Sequence, residues 1–151
     1  MSILTRDALL HFVHFVCIFS LASLLACEVA LFAPTISRRM LNRLRVIDRW
    51  YGIFAGLVII SGISLLSFGF KPASFFTHNP VFWTKMTLFV CVALLSIPMT
   101  VKLIRIPDGT GLDDAVTFDA GEFRRLQMFL YAEVAVLVFI PLCAALMANG
   151  I

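Results

Sequence analysis

The chain reads as an all-α integral membrane protein: an antiparallel four-helix transmembrane bundle with a short interfacial helix between spans one and two. Three observations predict this. Hydrophobic residues make up 61% of the 151 positions and charged residues only 14%, against about 45–50% and about 25% in soluble domains. Four apolar runs are each long enough to cross a bilayer, which takes about 20 helical residues. No alternating pattern competes within them, and an open sheet cannot stand in lipid, where backbone polar groups need internal partners. A mean hydropathy of +0.99 excludes a soluble enzyme, a disordered tail and a nucleic-acid binder. The net charge of +3 comes from arginines placed in loops, so no nucleic-acid partner is expected. The partner implied is the lipid bilayer, and residues 1–151 are expected to form a single transmembrane domain.

Span one is expected over residues 9–33. Its Leu24-Leu25-Ala26-Cys27 imitates a lipoprotein signal. That reading is set aside, because the apolar run continues to Phe32 and His11 and His14 would fall inside the signal core. Loop one follows, with Arg38, Arg39, Arg43, Arg45 and Arg49. Ser37 can cap a helix there, and Met40, Leu41, Leu44 and Ile47 recur at helical spacing. This predicts an interfacial helix on the inner leaflet, with Arg38, Arg39, Arg43 and Arg45 meeting anionic lipid headgroups.

Span two is expected over residues 50–70, with Gly52 and Gly56 as a small-residue packing pair inside the bundle or between protomers of a homo-oligomer. Span three is expected over 82–104 and kinked at Pro98. Loop three holds the Pro107-Asp108-Gly109 turn and then Asp113, Asp114, Asp119 and Glu122. These carboxylates lack calcium-loop spacing and read as a solvated loop, with Asp119 and Glu122 as a capping box for span four, over 128–148.

Nine Lys and Arg residues fall in loops one and three: the five arginines above, Lys102, Arg105, Arg124 and Arg125. Arg6, Lys71 and Lys85 fall on the other side. This bias places the arginine-rich loops in the cytoplasm and both termini outside, in the periplasm, for a multi-pass protein of the bacterial inner membrane.

Ionisable residues within spans are functional candidates by default. The outer set is His11, His14, His78 and Lys85, expected to meet at one end of the bundle. The inner set is Glu28, Asp48, Arg49, Tyr51, Tyr131 and Glu133. Asp7, His14 and Glu28 are separated by multiples of seven, which puts them on one stripe facing the bundle. Glu28, Glu133 and Tyr131 are candidates for a proton path. Cys17, Cys27, Cys91 and Cys143 form no CxxC or CxxCH pattern, which excludes covalent c-type haem. Imidazole beside a cation suits a b-type haem, whose iron needs nitrogen and whose propionates suit Lys85, or else a quinone.

The run Leu10-His11-Phe12, Glu28, Tyr51-Gly52, His78-Asn79-Pro80 with Phe82-Trp83 and Lys85, and Ser96-Ile97-Pro98 resembles a bacterial family of predicted membrane proteins, domain of unknown function twenty-two fourteen. The likeness covers nearly the whole chain and strengthens the topology. It picks out His11, Glu28, His78 and Lys85 without assigning them roles. In layout, His11 with Trp83 and Lys85 is also similar to the HemJ-type protoporphyrinogen IX oxidases. That resemblance implies a haem b ligand early in span one. The first expectation is therefore a b-type haem- or metal-binding redox membrane protein using outer-side histidines. The alternatives are a non-catalytic accessory or assembly subunit of a larger membrane complex and a small proton-coupled transporter built on Glu28 and Glu133.

Overall fold

The structure is a computed structural model that describes residues 2–69, 74, 77–108 and 114–148. Lys71, Gly109, Asp113 and the expected end of span two at Phe70 lie outside the described residues. Among the described residues the elements are, in order, α1 (Ile3–Leu31), β1 (Thr35–Ser37), α2 (Arg38–Phe68), α3 (Pro80–Arg105), β2 (Ala115–Thr117) and α4 (Ala120–Ala148). All four helices are long and apolar enough to cross a membrane.

The helices start where side chains can satisfy their first N–H groups. The hydroxyl of Ser2 accepts from the Thr5 N–H, Ser37 from Met40 and the side chain of Asn79 from Val81. Pro80 follows Asn79 at the first turn of α3, where its missing N–H costs nothing. Asp119 caps α4 by accepting from the Gly121 N–H at 3.0 Å. Its expected capping-box partner Glu122 instead reaches Lys102 on α3, 2.7 Å away. Pro98 and Pro141 both sit inside unbroken helices.

Two helical hairpins, α1–β1–α2 and α3–β2–α4, repeat the same order of elements. Within each, the two helices pack along one another, and the hairpins meet through lighter α1–α4 and α2–α3 contacts. β1 and β2 join them as an antiparallel ribbon, with Ile36 opposite Val116. Beneath it lies a compact apolar knot. Phe32 stacks on Phe123 at 5.0 Å and meets Phe118 edge-on at 5.2 Å, beside Leu41, Leu44 and Ile106. The opposite surfaces of the spans are apolar and exposed, as at Phe12, Phe19, Ile60, Leu94 and Phe139. Lipid is the solvent those faces require.

The arginine-rich segment corrects one expectation. It is the first three turns of α2, continuous with span two, and not a separate interfacial helix. Nothing between Arg38 and Trp50 breaks a helix, and one stripe runs through Leu41, Leu44, Asp48, Tyr51 and Val58. Leu41 and Leu44 are fully buried, where a helix lying on the leaflet would turn them to lipid. At 31 residues, α2 is about 46 Å long, against about 30 Å of hydrocarbon, so it projects well beyond the membrane core. By contrast, α4 begins at Ala120, directly after the expected cap Asp119 and ahead of the apolar span at 128–148.

Candidate functional site

The bundle interior holds a polar cluster contributed by all four helices. Glu28 of α1 and Glu133 of α4 are 2% and 1% exposed, and both face inward. Tyr51 of α2 donates its hydroxyl hydrogen to Glu133 Oε1 at 2.5 Å. One turn away, Asp48 accepts from the Thr100 hydroxyl of α3 at 2.6 Å. Glu28 lies within electrostatic range of Asp48 and Glu133. Its Oε1 is buried and has no hydrogen-bond partner among the described residues. A buried carboxyl oxygen without a partner is expensive, so this arrangement persists only where the surrounding packing holds it.

The helical register explains the convergence. On α1, His14, Cys17, Leu21, Leu25 and Glu28 form one inward stripe, in keeping with the spacing by sevens. Tyr51 lies thirteen residues after the start of α2 and Glu133 thirteen after the start of α4. The two hairpins thus bring equivalent positions together in the interior. Tyr131 does not join them, which corrects its assignment to the bundle-polar set. It is 54% exposed and its hydroxyl accepts from Gln127. Two residues from Glu133 is about 200° around a helix, so both cannot face the interior.

The histidine end is looser. His14 is half-buried and its Nδ1 hydrogen-bonds the Ser61 hydroxyl of α2 at 2.7 Å. The ring lies over Gly62: a Cβ there would stand 3.5 Å from His14 Cε1, an ordinary van der Waals contact. Lys85 and His11 lie within electrostatic range of His14. Lys85 is half-buried, with its ammonium 5.7 Å from the Phe82 ring centre. His11 and His78 are exposed, and each Nδ1 is held by the carbonyl four residues earlier, Asp7 and Ser74. The contacts at this end run from His14 to Ser61, from His11 to Asp7 and from Lys85 to Phe82, while His78 is held on its own segment. Among the described residues, no three His, Cys, Asp or Glu side chains converge to hold a metal ion. The four cysteines are free thiols, and Cys27 faces outward.

At the loop end, two of the four arginines expected at lipid headgroups hold protein carbonyls. Arg45 donates to Leu103 O at 2.9 Å and to Ile106 O, and it pairs with Asp108 at 2.6 Å. Arg38 donates to Pro107 O. Leu103 O is one of the orphan carbonyls at the end of α3, which has no glycine cap, and Ile106 O and Pro107 O follow just beyond it. Arg39 and Arg43 remain on the outer face of α2, beside Leu31 and Val46. The sequence carries no local signal for the Arg45 clamp, the Thr100–Asp48 bond or the Lys102–Glu122 pair, because each joins elements distant in the chain.

Four membrane-crossing helices around a buried polar cluster define a polytopic membrane protein. The chain matches the DUF2214 family, described as predicted membrane protein, over residues 6–151, and it belongs to that family. No curated protein and no solved structure matches it, so the layout shared with HemJ-type oxidases gains no support from these comparisons.

Proposed function

We propose that this protein moves protons through its bundle, with Glu28, Glu133 and Asp48 as the exchanging groups and Tyr51 as the hydrogen-bonded link. The observation that carries this reading is Glu28: a buried carboxyl with an oxygen that has no partner among the described residues, in a bundle interior that also buries Glu133 and Asp48. Charged groups within spans are costly and mark ion or proton pathways. A purely structural network would satisfy every member. In this reading the arginine-rich loops face the cytoplasm of an inner-membrane protein and both termini lie outside. The carboxylates then occupy the inner half of the bundle and the histidines the outer half. The repeated helix–strand–helix hairpin agrees with transporters built from parallel repeats.

The test is proton flux into liposomes carrying the purified protein and an entrapped pH dye, driven by a potassium diffusion potential. Wild type should acidify the interior at least tenfold faster than empty liposomes. E28Q and E133Q should return the rate to background. Wild-type flux no faster than that of empty liposomes would overturn the proposal.

A second reading is favoured by the histidine end. The Nδ1 of His11 and of His78 is taken up by a backbone carbonyl four residues earlier, which leaves each Nε2 as the ring nitrogen for iron, the usual division in iron-ligating imidazoles. His11 would be the axial ligand of a b-type haem and Lys85 the propionate partner; bound haem would supply electron transfer. An absorbance spectrum of the protein in detergent tests it. A Soret band lost in H11A and kept in H14A supports this reading, and a colourless preparation overturns it. Failure of both assays would favour an accessory or assembly subunit of a larger membrane complex.

A further inference from the structure

A groove of about 630 Å³ lies between α2 and α3, within the roughly 300–1,000 Å³ of small-molecule sites. It exists because these helices belong to different hairpins and touch only lightly. Its two ends differ in chemistry. Along the spans its wall is apolar and of low relief, formed by Gly52, Ala55, Phe89, Val92 and Ala93. Toward the loops it is polar, with Arg45, Asp48, Arg49 and Thr100. Gly52, Ala93 and Ile104 on its lining are exposed, so it opens on the bundle surface.

Two observations point to an occupant. The first is Gly52. A Cβ there, or at Gly56, would meet no atom within 4 Å. These glycines are therefore not a packing contact inside this chain, and the missing side chain of Gly52 is part of the groove. The second is the charge at the polar end. Arg45 is paired with Asp108, and Asp48 is bonded to Thr100. Arg49 is exposed and has no ion pair with another described residue. The groove thus joins an apolar trough, open to hydrocarbon, to a polar end where the exposed guanidinium of Arg49 has no ion pair among the described residues. Water does not wet such a trough, and an anion suits such a cation.

We propose that the groove is a binding site for one anionic phospholipid, its acyl chain lying along Gly52, Ala55 and Ala93 and its phosphate on Arg49. Asp48 and Tyr51 of the proton reading also line this groove, but the lipid site is carried by Arg49 and Gly52, which have no part in that reading.

The experiment uses the full chain in mild detergent, with native mass spectrometry for retained lipid and thermal unfolding as a second readout. The probes are dioleoyl phosphatidylglycerol, dioleoyl phosphatidylcholine and inorganic phosphate. Wild type should retain one phosphatidylglycerol and gain thermal stability from it more than from phosphatidylcholine, with no gain from inorganic phosphate. G52L, which fills the trough, should lower lipid occupancy at least tenfold. R49Q, at an exposed position, should abolish the preference for phosphatidylglycerol. Equal occupancy in wild type, R49Q and G52L would overturn the proposal. So would equal stabilisation of wild type by the two lipids. Stabilisation by inorganic phosphate matching that by phosphatidylglycerol would assign an anion site without a lipid.

Discussion

Tyr51 and Tyr131 show how much one helical step decides. Tyr51 is 4% exposed and its hydroxyl serves Glu133, whereas Tyr131 is 54% exposed and meets Gln127. Removing the Tyr51 hydroxyl leaves a buried carboxylate oxygen without its donor, at a cost of about 1–3 kcal/mol. Y51F should therefore lower stability by that amount in a denaturant titration from mixed micelles, while Y131F should change it by less than about 0.5 kcal/mol. Equal losses in the two variants would contradict the placement of the cluster. Arg45 invites a similar comparison. Its guanidinium serves carbonyls that no backbone group reaches, so R45Q should cost about 1–3 kcal/mol. R43Q, on the outer face, should be near neutral in the same titration.

At the scale of elements, α2 carries the most information. Its buried stripe passes from Leu41 and Leu44 through Asp48 and Tyr51 without a break, so the arginine-rich segment and the span are one rod. Spin labels replacing Arg43 and Leu57, both exposed, should lie about 21 Å apart along the axis, as 14 residues of straight helix require. A segment folded onto the leaflet would bring them markedly closer, and pulsed electron resonance distances distinguish the two. The ribbon of β1 and β2 is a second device of this scale. Three residues a side would not persist alone. It persists here over Phe32, Phe118 and Phe123, and it ties the two hairpins at the end where their charges concentrate.

For the whole molecule, four crossings put both termini on one side of the membrane. The division of Lys and Arg, nine in and beside loops one and three against three elsewhere, predicts that side to be the periplasm. A C-terminal alkaline phosphatase fusion should be active and a C-terminal fluorescent protein that matures only in the cytoplasm should be dark. The reverse result would exchange the carboxylate and histidine halves between compartments.

The number of spans and the stripe that turns Glu28 inward were legible in the chain alone. Each follows from length or helical period, which are local properties of a run of residues. The continuity of α2 was legible in principle, since no Gly or Pro interrupts 38–49. The charge of that segment instead suggested a separate surface helix, and the depth at which Leu41 and Leu44 are buried decided otherwise. Periodicity also named the inner residues, but not who meets whom. Glu133 with Tyr51, Asp48 with Thr100 and Arg45 with the end of α3 join positions 52 to 82 residues apart. Only the packing of one hairpin on the other brings them within hydrogen-bond reach. The same packing leaves α2 and α3 apart where Gly52 lies, so of the two contacts expected for Gly52 and Gly56 the one inside the chain is not made.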